Sequence, residues 1–199
     1  MVKCCQTNFG EGSFLQDFPL LHTERLNLVK VNKNFTQDFY KIMSLDEVTK
    51  YYGMESLSSI HQAEQIIENF DKTFQQRFGI RWGMILKETG AFIGTVGLNN
   101  LSHRMKRAEI GYELHPDYWG KGLTSEAVKR VIDYSFRELG LYRIGAVTFP
   151  ENEPSWKLLL KLHFVKEGLL RGYLYQHGRS NDAYIFSLIR PDWEKFFQN

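Results

Sequence analysis

The sequence predicts an α+β fold in three layers, in which about four helices cover the two faces of a mixed, mostly antiparallel sheet. Residues 81–86 and 91–98 read as two strands joined by a glycine-containing turn, which is a hairpin signal. Residues 107–115 alternate between apolar and polar side chains with a period of two, as a strand with two different faces does. After Gly122 the apolar residues recur at helical spacing instead.

The other elements are assigned in chain order. Residues 25–31 read as a short strand, and two helices follow it. The pairs Asn34/Gln37 and Ser59/Gln62 have the spacing of a capping box, so each predicts a helix start. After the hairpin, the predicted order is a strand at 107–115, a helix at 123–139, a strand at 143–149, a helix at 153–162, and strands at 165–173 and 183–188.

Length and composition predict one ordinary globular domain. Residues 20–199 are assigned to that domain and residues 1–19, which are poorly patterned, to an N-terminal extension. The net charge of +2, without a cluster of basic residues, argues against a nucleic-acid partner. The sequence has no long apolar run and no signal-peptide pattern, so we expect a cytoplasmic protein without a membrane partner, either a monomer or a homodimer.

The cysteines and histidines do not suggest a metal site. Cys4 and Cys5 are neighbours, a spacing that rarely forms a structural disulfide, and we interpret them as an exposed, reducible pair. The six histidines are scattered along the chain without the spacing of metal ligands. The sequence therefore predicts no bound metal.

The junction between the strand at 107–115 and the following helix is the most informative stretch. Trp119-Gly120-Lys121-Gly122 turns the chain, and its glycines allow the backbone to approach a ligand closely. The first amides of a helix have no intrahelical partner and lie at the positive end of the helix dipole, so they bind anions such as phosphate. Lys121 adds a positive charge. The alternative is a plain glycine turn without a ligand.

Two familiar phosphate loops do not fit this junction. A P-loop requires the pattern G-x-x-x-x-G-K-[ST], which is absent here. A dinucleotide fingerprint requires a third glycine where this chain has Ser125. A nicotinamide-dependent oxidoreductase is therefore disfavoured.

Residues 118–127, with the sequence YWGKGLTSEA, resemble the acetyl-CoA pyrophosphate loop of the Gcn5-related N-acetyltransferases, the GNAT family. The likeness is greatest to the RimJ/RimL-like branch, which acetylates the N termini of ribosomal proteins. Residues 23–28, 108–112 and 152–164 agree with that branch in order and spacing, so the likeness covers nearly the whole chain. Three residues depart from the family pattern and bear on the outer cofactor contacts: Thr124, Leu160 and His163.

The resemblance implies a GNAT-like three-layer α/β/α sandwich that uses acetyl-CoA as cosubstrate and needs no metal. The acetyl group would pass to a primary amine by direct attack. In this family the central strand separates from its neighbour, and backbone amides in the gap hold the pantetheine arm. The implied cofactor contacts are Tyr112, Glu113, Leu114, Trp119, Gly120, Lys121, Gly122, Leu123, Thr124 and Asn152.

Glu109 and Ser155 are the candidate catalytic residues. The resemblance implies that Glu109 accepts the proton of the amine, directly or through water, and that Ser155 protonates the departing thiolate. The alternatives are an ion pair of Glu109 with Arg107 or Arg143 or a solvated strand face, and a helix-capping role for Ser155 with Asn152. The segment 51–54 either contacts the acceptor or serves only in packing.

The acceptor amine stays open at this stage. Freeing a lysine-type amine of pKa ~10.4 at pH 7 costs roughly 4.6 kcal/mol, whereas an α-amine of pKa ~8 costs roughly 1.4 kcal/mol. A weak or water-mediated base therefore suffices for an N-terminal amine. The likeness implies a ribosomal-protein N terminus. The alternatives are a small-molecule amine (a polyamine, amino acid or drug) or a non-catalytic acyl-CoA-binding domain, and the absence of an acidic cluster argues against a polyamine.

Overall fold

One eight-stranded sheet forms the centre of the protein in the computed structural model, which describes residues 17–197. Cys4 and Cys5 lie outside these residues. The strands are β1 (Leu21–His22), β2 (Leu26–Lys30), β3 (Ile80–Leu86), β4 (Phe92–Ser102), β5 (Arg107–Leu114), β6 (Arg143–Thr148), β7 (Val165–Gln176) and β8 (Arg179–Ile189). Their order across the sheet is β1-β2-β3-β4-β5-β6-β8-β7, and every pair is antiparallel except β5 and β6.

Six α-helices lie within the described part of the chain. They are α1 (Thr36–Met43), α2 (Asp46–Thr49), α3 (Ile60–Gln75), α4 (Leu123–Arg137), α5 (Glu153–Lys161) and α6 (Arg190–Phe197). The sequence predicted about four, and the two additional helices are α2 and α6. The first is only one turn long, and the second begins directly where β8 ends, without a loop to mark it. Trp193 nevertheless anchors α6, since it is buried against Phe136 of α4 with ring centroids 5.2 Å apart.

The sheet buries a different hydrophobic cluster on each face. On one face, strand residues such as Trp82 and Ile110 share a buried cluster with Val128 of α4. On the other face, Phe39 of α1 and Ile67 of α3 form a second cluster. Successive residues of a strand point to opposite faces, so β3 and β4 contribute to both clusters, with Ile85 and Phe92 on the second face. The three-layer, mostly antiparallel α+β arrangement predicted from the sequence is confirmed.

One of the two predicted helix caps is wrong. The backbone amide of Asn34 donates to the side chain of Asn32 at 2.9 Å, so the capping residue is Asn32 and not Asn34. A short 3-10 turn follows, and α1 begins only at Thr36. The asparagine two residues earlier closes its own local turn, which displaces the helix start. At α3 the predicted capping box is present, with Gln62 Oε1 accepting from the Ser59 amide at 3.2 Å.

The final hairpin is longer than the sequence predicted. Strands β7 and β8 run up to a two-residue turn formed by His177 and Gly178, whose φ angles are 53° and 70°. Two consecutive residues with positive φ match the right-handed twist of the flanking strands. Sequence rules look for asparagine or aspartate before the glycine, and histidine in that place concealed the turn.

Gly97 of β4 provides a test of the close packing in the central sheet. A Cβ atom at this position would collide with the carbonyl oxygen of Ile80 and lie 3.0 Å from the Cα of Arg81. We expect Gly97→Ala to lower the free energy of unfolding by about 1–3 kcal/mol, the usual cost of overpacking, as measured by denaturant titration. Gly168→Ala in β7 is the matched control, because nothing lies within 4 Å of its Cβ position. Equal losses in the two variants would contradict this account.

Candidate active site

Strands β5 and β6 pair for three residues and then separate. Their parallel register runs from Arg107 opposite Arg143 to Glu109 opposite Gly145. Beyond that point β5 stays paired with β4, and β6 stays paired with β8. From Ile110 onward the facing edges of β5 and β6 are therefore not bonded to each other, and an extended ligand can bind to such an unpaired strand edge. The separated part of β5 contains the predicted backbone contacts at 112–114.

A glycine turn lies just beyond the end of the separated strand. Gly120 and Gly122 have φ angles of 72° and 75°, a left-handed conformation that favours glycine, and Gly122 is the N-cap residue of α4. The amide of Glu126 makes the first helical bond, to the carbonyl of Gly122 at 3.1 Å. The preceding amides, at 123–125, are the unpaired donors of the helix N terminus. The predicted anion-binding junction thus has the required geometry.

Arg25, the residue before β2, and Glu126 of α4 fix the position of this turn. The Arg25 guanidinium donates to the carboxylate of Glu126 at 2.7 Å and to the backbone carbonyl of Lys121 at 2.9 Å, while the Arg25 amide donates to the same carboxylate at 2.8 Å. Burial raises the pKa of Glu126, but hydrogen bonds from Thr23 and Arg25 outweigh it and lower the pKa below its usual value. Sequence analysis noted the segment 23–28 as a motif but assigned no role to Arg25.

The side chain of Glu113 belongs to a buried polar network within the sheet. It accepts hydrogen bonds from the hydroxyls of Thr95 and Tyr52, and it lies 3.6 Å from the guanidinium of Arg81, which also donates to the Gly111 carbonyl. Burial raises the pKa of the Glu113 carboxyl, and the opposing effects of Arg81 and the two hydroxyls do not cancel that rise. This carboxyl therefore belongs to the packing of the sheet and does not line the gap.

Glu109 instead lines an open cavity of about 470 Å³ at the point where β5 and β6 part. Its carboxylate accepts a hydrogen bond of 3.0 Å from the side chain of Asn100. Among the described residues it forms no ion pair with Arg107 or Arg143, the alternative that the sequence left open. Gly145 lies opposite, and a Cβ there would be 3.4 Å from the Glu109 side chain, so the glycine leaves room for it.

Ser155 approaches the gap from the opposite face of the sheet. Its hydroxyl lies 2.9 Å from the hydroxyl of Tyr112, and its backbone amide donates to the side chain of Asn152 at 3.3 Å. Asn152 thus caps α5, and its predicted contact with the cofactor stays a prediction. Burial raises the pKa of the Tyr112 hydroxyl to about 12, so it stays protonated at neutral pH and can donate to Ser155. The sequence predicted Tyr112 as a cofactor contact through its backbone but gave no role to its hydroxyl, which is a second hydroxyl near the gap.

The segment 51–54 is held in place by packing and hydrogen bonds. Tyr51 packs against Phe149 with ring centroids 5.8 Å apart, and the Gly53 amide donates to the buried side chain of Gln176 at 3.1 Å. None of the four residues is among those that line the Glu109 cavity. These contacts agree with the packing alternative for this segment.

The described residues therefore surround the gap on three sides. Glu109 and the cavity lie on one face of the sheet, Ser155 and Tyr112 lie on the other, and the glycine turn lies at the end. An extended thioester bound in the gap would have a carboxylate on one side and a hydroxyl on the other. This arrangement suits acyl transfer from a phosphate-bearing thioester to an acceptor in the cavity.

Comparison with known families decides the assignment. The family model described as acetyltransferase (GNAT) domain matches residues 25–165, more than two thirds of the 199-residue chain. The chain belongs to this family. The resemblance stated from the sequence is confirmed, and the chain is an acetyl-CoA-dependent N-acetyltransferase.

The relatives of this GNAT enzyme are N-acetyltransferases whose names give different acceptors or none. Uncharacterized N-acetyltransferase YoaA of Bacillus subtilis is 45% identical over 87% of this chain and 98% of its own length. Putative ribosomal N-acetyltransferase YdaF of the same species is 32% identical over 66% of this chain and 70% of its own length. Spermidine N(1)-acetyltransferase of Escherichia coli is 28% identical over 78% of this chain and 82% of its own length.

Solved structures agree on the fold of this GNAT enzyme. Mycobacterium smegmatis RimJ in complex with CoA-disulfide superimposes with a TM-score of 0.77 at 23% identity, covering 84% of this chain and 83% of that one. Within residues 17–197 of the present chain, no helix is long and apolar enough to cross a membrane, and no cluster of three or more His, Cys, Asp or Glu is placed to hold a metal.

The Arg81–Glu113 contact yields a prediction for stability. Arg81→Met leaves the Glu113 carboxyl buried without a cation, so we expect the free energy of unfolding to fall by about 3–5 kcal/mol in denaturant titrations. Adding Glu113→Gln should recover part of the loss, because a neutral amide needs no cation. Arg143→Met removes an ion pair whose side chains are 32% and 38% exposed and should cost at most about 1 kcal/mol. A loss for Arg81→Met no larger than for Arg143→Met would disprove the prediction.

Proposed function

We propose that this GNAT enzyme transfers the acetyl group of acetyl-CoA to the N-terminal amine of a protein, a ribosomal protein being the first candidate, in a cytoplasmic setting. The observation that carries the proposal is the position of Glu109, which stands in an open polar cavity where β5 and β6 begin to separate. That position puts a carboxylate beside the acceptor entrance and next to the place of the thioester.

The chain offers a continuous set of groups for acetyl-CoA. The pyrophosphate would lie on the backbone amides of the glycine turn, with Lys121 nearby and with Arg25 fixing the shape of the turn through the Lys121 carbonyl. The pantetheine arm would follow the unpaired edge of β5 toward Ile110. The indole N–H of Trp119 donates to the Leu114 carbonyl at 2.7 Å, so the contact of Trp119 with the cofactor would be made by its backbone or its ring face.

In the proposed reaction, Glu109 takes the proton of the amine, directly or through a water molecule. The amine nitrogen then forms a bond to the thioester carbonyl carbon, and the carbon–sulfur bond breaks. Ser155, hydrogen-bonded to the Tyr112 hydroxyl, gives a proton to the departing sulfur and recovers one from solvent. Backbone amides of β5 near Tyr112 stabilise the oxyanion.

The charges in the acceptor cavity favour an N-terminal amine over a polyamine. Glu109 is the single carboxylate among the lining residues, and two arginines, Arg107 and Arg143, line the same cavity. A polyamine carries several positive charges, which Arg107 would repel, whereas the charge of Arg143 is already paired with Glu167. The α-amine of a protein has a lower pKa than a lysine-type amine, so one carboxylate acting through water can deprotonate it.

Placing an aspartate in the glycine turn tests the acetyl-CoA site. A Cβ at Gly120 has open space around it, whereas one at Gly122 would already be in van der Waals contact with the Arg25 guanidinium, 3.6 Å away. We expect Gly120→Asp to raise the Kd for acetyl-CoA by about 100-fold or more in calorimetric titrations, since bringing like charges together costs several kcal/mol. The matched control is Gly140→Asp, at a glycine of similar φ beyond the far end of α4. Unchanged binding in Gly120→Asp would overturn this placement.

The roles of Glu109 and Ser155 predict losses of different size. We expect Glu109→Gln to lower kcat by about 10²-fold or more, the usual contribution of a general base. Ser155→Ala should have a smaller effect, because a thiol of pKa ~8.5 is a fair leaving group without an acid. The measurement is thiol release from acetyl-CoA with peptide acceptors, with Glu88→Gln in an exposed turn as control. Comparable losses in the two variants would refute the assignment of roles.

A further inference from the structure

Of the two arginines that line the acceptor cavity, only one forms an ion pair within the described fold. Arg143 forms a bidentate pair with Glu167, with N–O distances of 2.7 and 2.5 Å, and Glu167 also accepts from Ser187. Hydrogen bonding to Arg143 lowers the pKa of Glu167 to about 2, so this pair stays charged and closed at neutral pH. The side chain of Arg107, in contrast, has no hydrogen-bond or ion-pair partner between residues 17 and 197.

Arg107 and Glu109 stand two residues apart on the same face of β5. A strand advances about 3.3 Å per residue, so the two side chains leave the backbone about 6.6 Å apart. The Glu109 carboxylate accepts its hydrogen bond from the neutral side chain of Asn100, so within the described residues no cation is paired with it and it can bind an ammonium group. The cavity thus presents one negative and one positive group at a fixed spacing, which is complementary to an amine with an anionic group nearby.

The spacing selects among acceptors that carry both charges. In a free amino acid the amine and the carboxylate are attached to the same carbon, which is too close to reach both Glu109 and Arg107. In a peptide, consecutive Cα atoms are 3.80 Å apart, so an acidic side chain on the second residue can place its carboxylate the required distance from the N-terminal amine. Exposed Arg104 and Lys106, in the turn just before Arg107, extend the positive surface beyond the cavity.

We propose that the acceptor is an acidic protein N terminus, with aspartate or glutamate at its second position, and that Arg107 is the residue that selects it. This inference rests on the proposed N-terminal acetyltransferase function. The amine of the acceptor lies beside Glu109, and the acidic side chain binds the Arg107 guanidinium. The transfer itself is unchanged: the nitrogen–carbonyl bond forms, the carbon–sulfur bond breaks, one proton passes from the amine to Glu109, and the departing sulfur takes a proton from Ser155, so that CoA leaves as the thiol.

A peptide panel with matched variants tests the proposal. The acceptors are octapeptides that differ only at position 2, carrying glutamate, glutamine or lysine, together with free aspartate and spermidine, and thiol release gives kcat/KM for each. We expect the glutamate peptide to exceed the glutamine peptide by about 10-fold or more, the effect of one charge-assisted hydrogen bond. Raising the salt concentration should reduce that ratio, because the cavity is open to solvent.

The variants separate specificity from folding. Arg107→Gln should bring the glutamate-to-glutamine ratio close to one, Arg107→Glu should favour the lysine peptide, and Arg107→Lys should keep part of the preference. Arg179→Gln changes another exposed arginine at the first residue of a strand, outside the cavity, and should leave the ratio unaltered. Because the readout is a ratio within one variant, a general loss of activity does not imitate the expected result.

The outcomes distinguish this inference from the function on which it rests. Equal rates on the three peptides, or a ratio that survives in Arg107→Gln, would overturn the role of Arg107 and leave N-terminal acetylation standing. Higher activity on spermidine or free aspartate than on any peptide would overturn both the acidic N terminus and the protein acceptor. Acetyl-CoA binding without turnover on any acceptor would also count against the proposal, whereas absence of acetyl-CoA binding would refute the proposed function itself.

Discussion

The short pairing of β5 with β6 is the constraint on which the rest of the site depends. β6 has two bonded neighbours only as far as Gly145, and beyond it β6 is bonded to β8 alone. A parallel pair that continued to Leu114 would bury the amides at 112–114 in the sheet and leave no gap for a ligand. The gap persists because β5 is held on its other side, by its ladder with β4 and by the Arg81–Glu113 network that spans the central strands.

The two glutamates of β5 show how environment divides one residue type between two roles. Glu113 is surrounded by Arg81 and two hydroxyls and is buried, so it serves the packing of the strands that form one side of the gap. Glu109 lies on the same strand face, four residues earlier, but it meets the open cavity and the neutral Asn100. The network around Glu113 stabilises the strand, and the strand in turn fixes the position of Glu109 relative to the gap.

Features that are local in the sequence could be predicted, and features that join distant segments could not. The glycine turn before α4, the capping box at Ser59 and the strand position of Glu109 each depend on a few neighbouring residues. The clamp between Arg25 and Glu126 joins residues 101 positions apart, and the bond from Tyr52 to Glu113 joins residues 61 positions apart. Such contacts depend on strand order and register, which the spacing of apolar residues along the sequence does not reveal.

Charge pairing around the cavity at Glu109 shows which cations form ion pairs within the described fold and which do not. The ion pair between Arg143 and Glu167 links β6 to β7. Because Arg143 lowers the pKa of Glu167 to about 2, the contribution of this pair to the stability of the fold is present above the unfolded pKa of Glu167 and is lost as the pH falls toward about 2. At neutral pH neither partner is therefore available to a ligand. The side chain of Arg107 forms no hydrogen bond or ion pair within residues 17–197, so no polar contact of the described fold requires its charge. Its position two residues before Glu109 is explained if the acceptor brings a negative charge of its own.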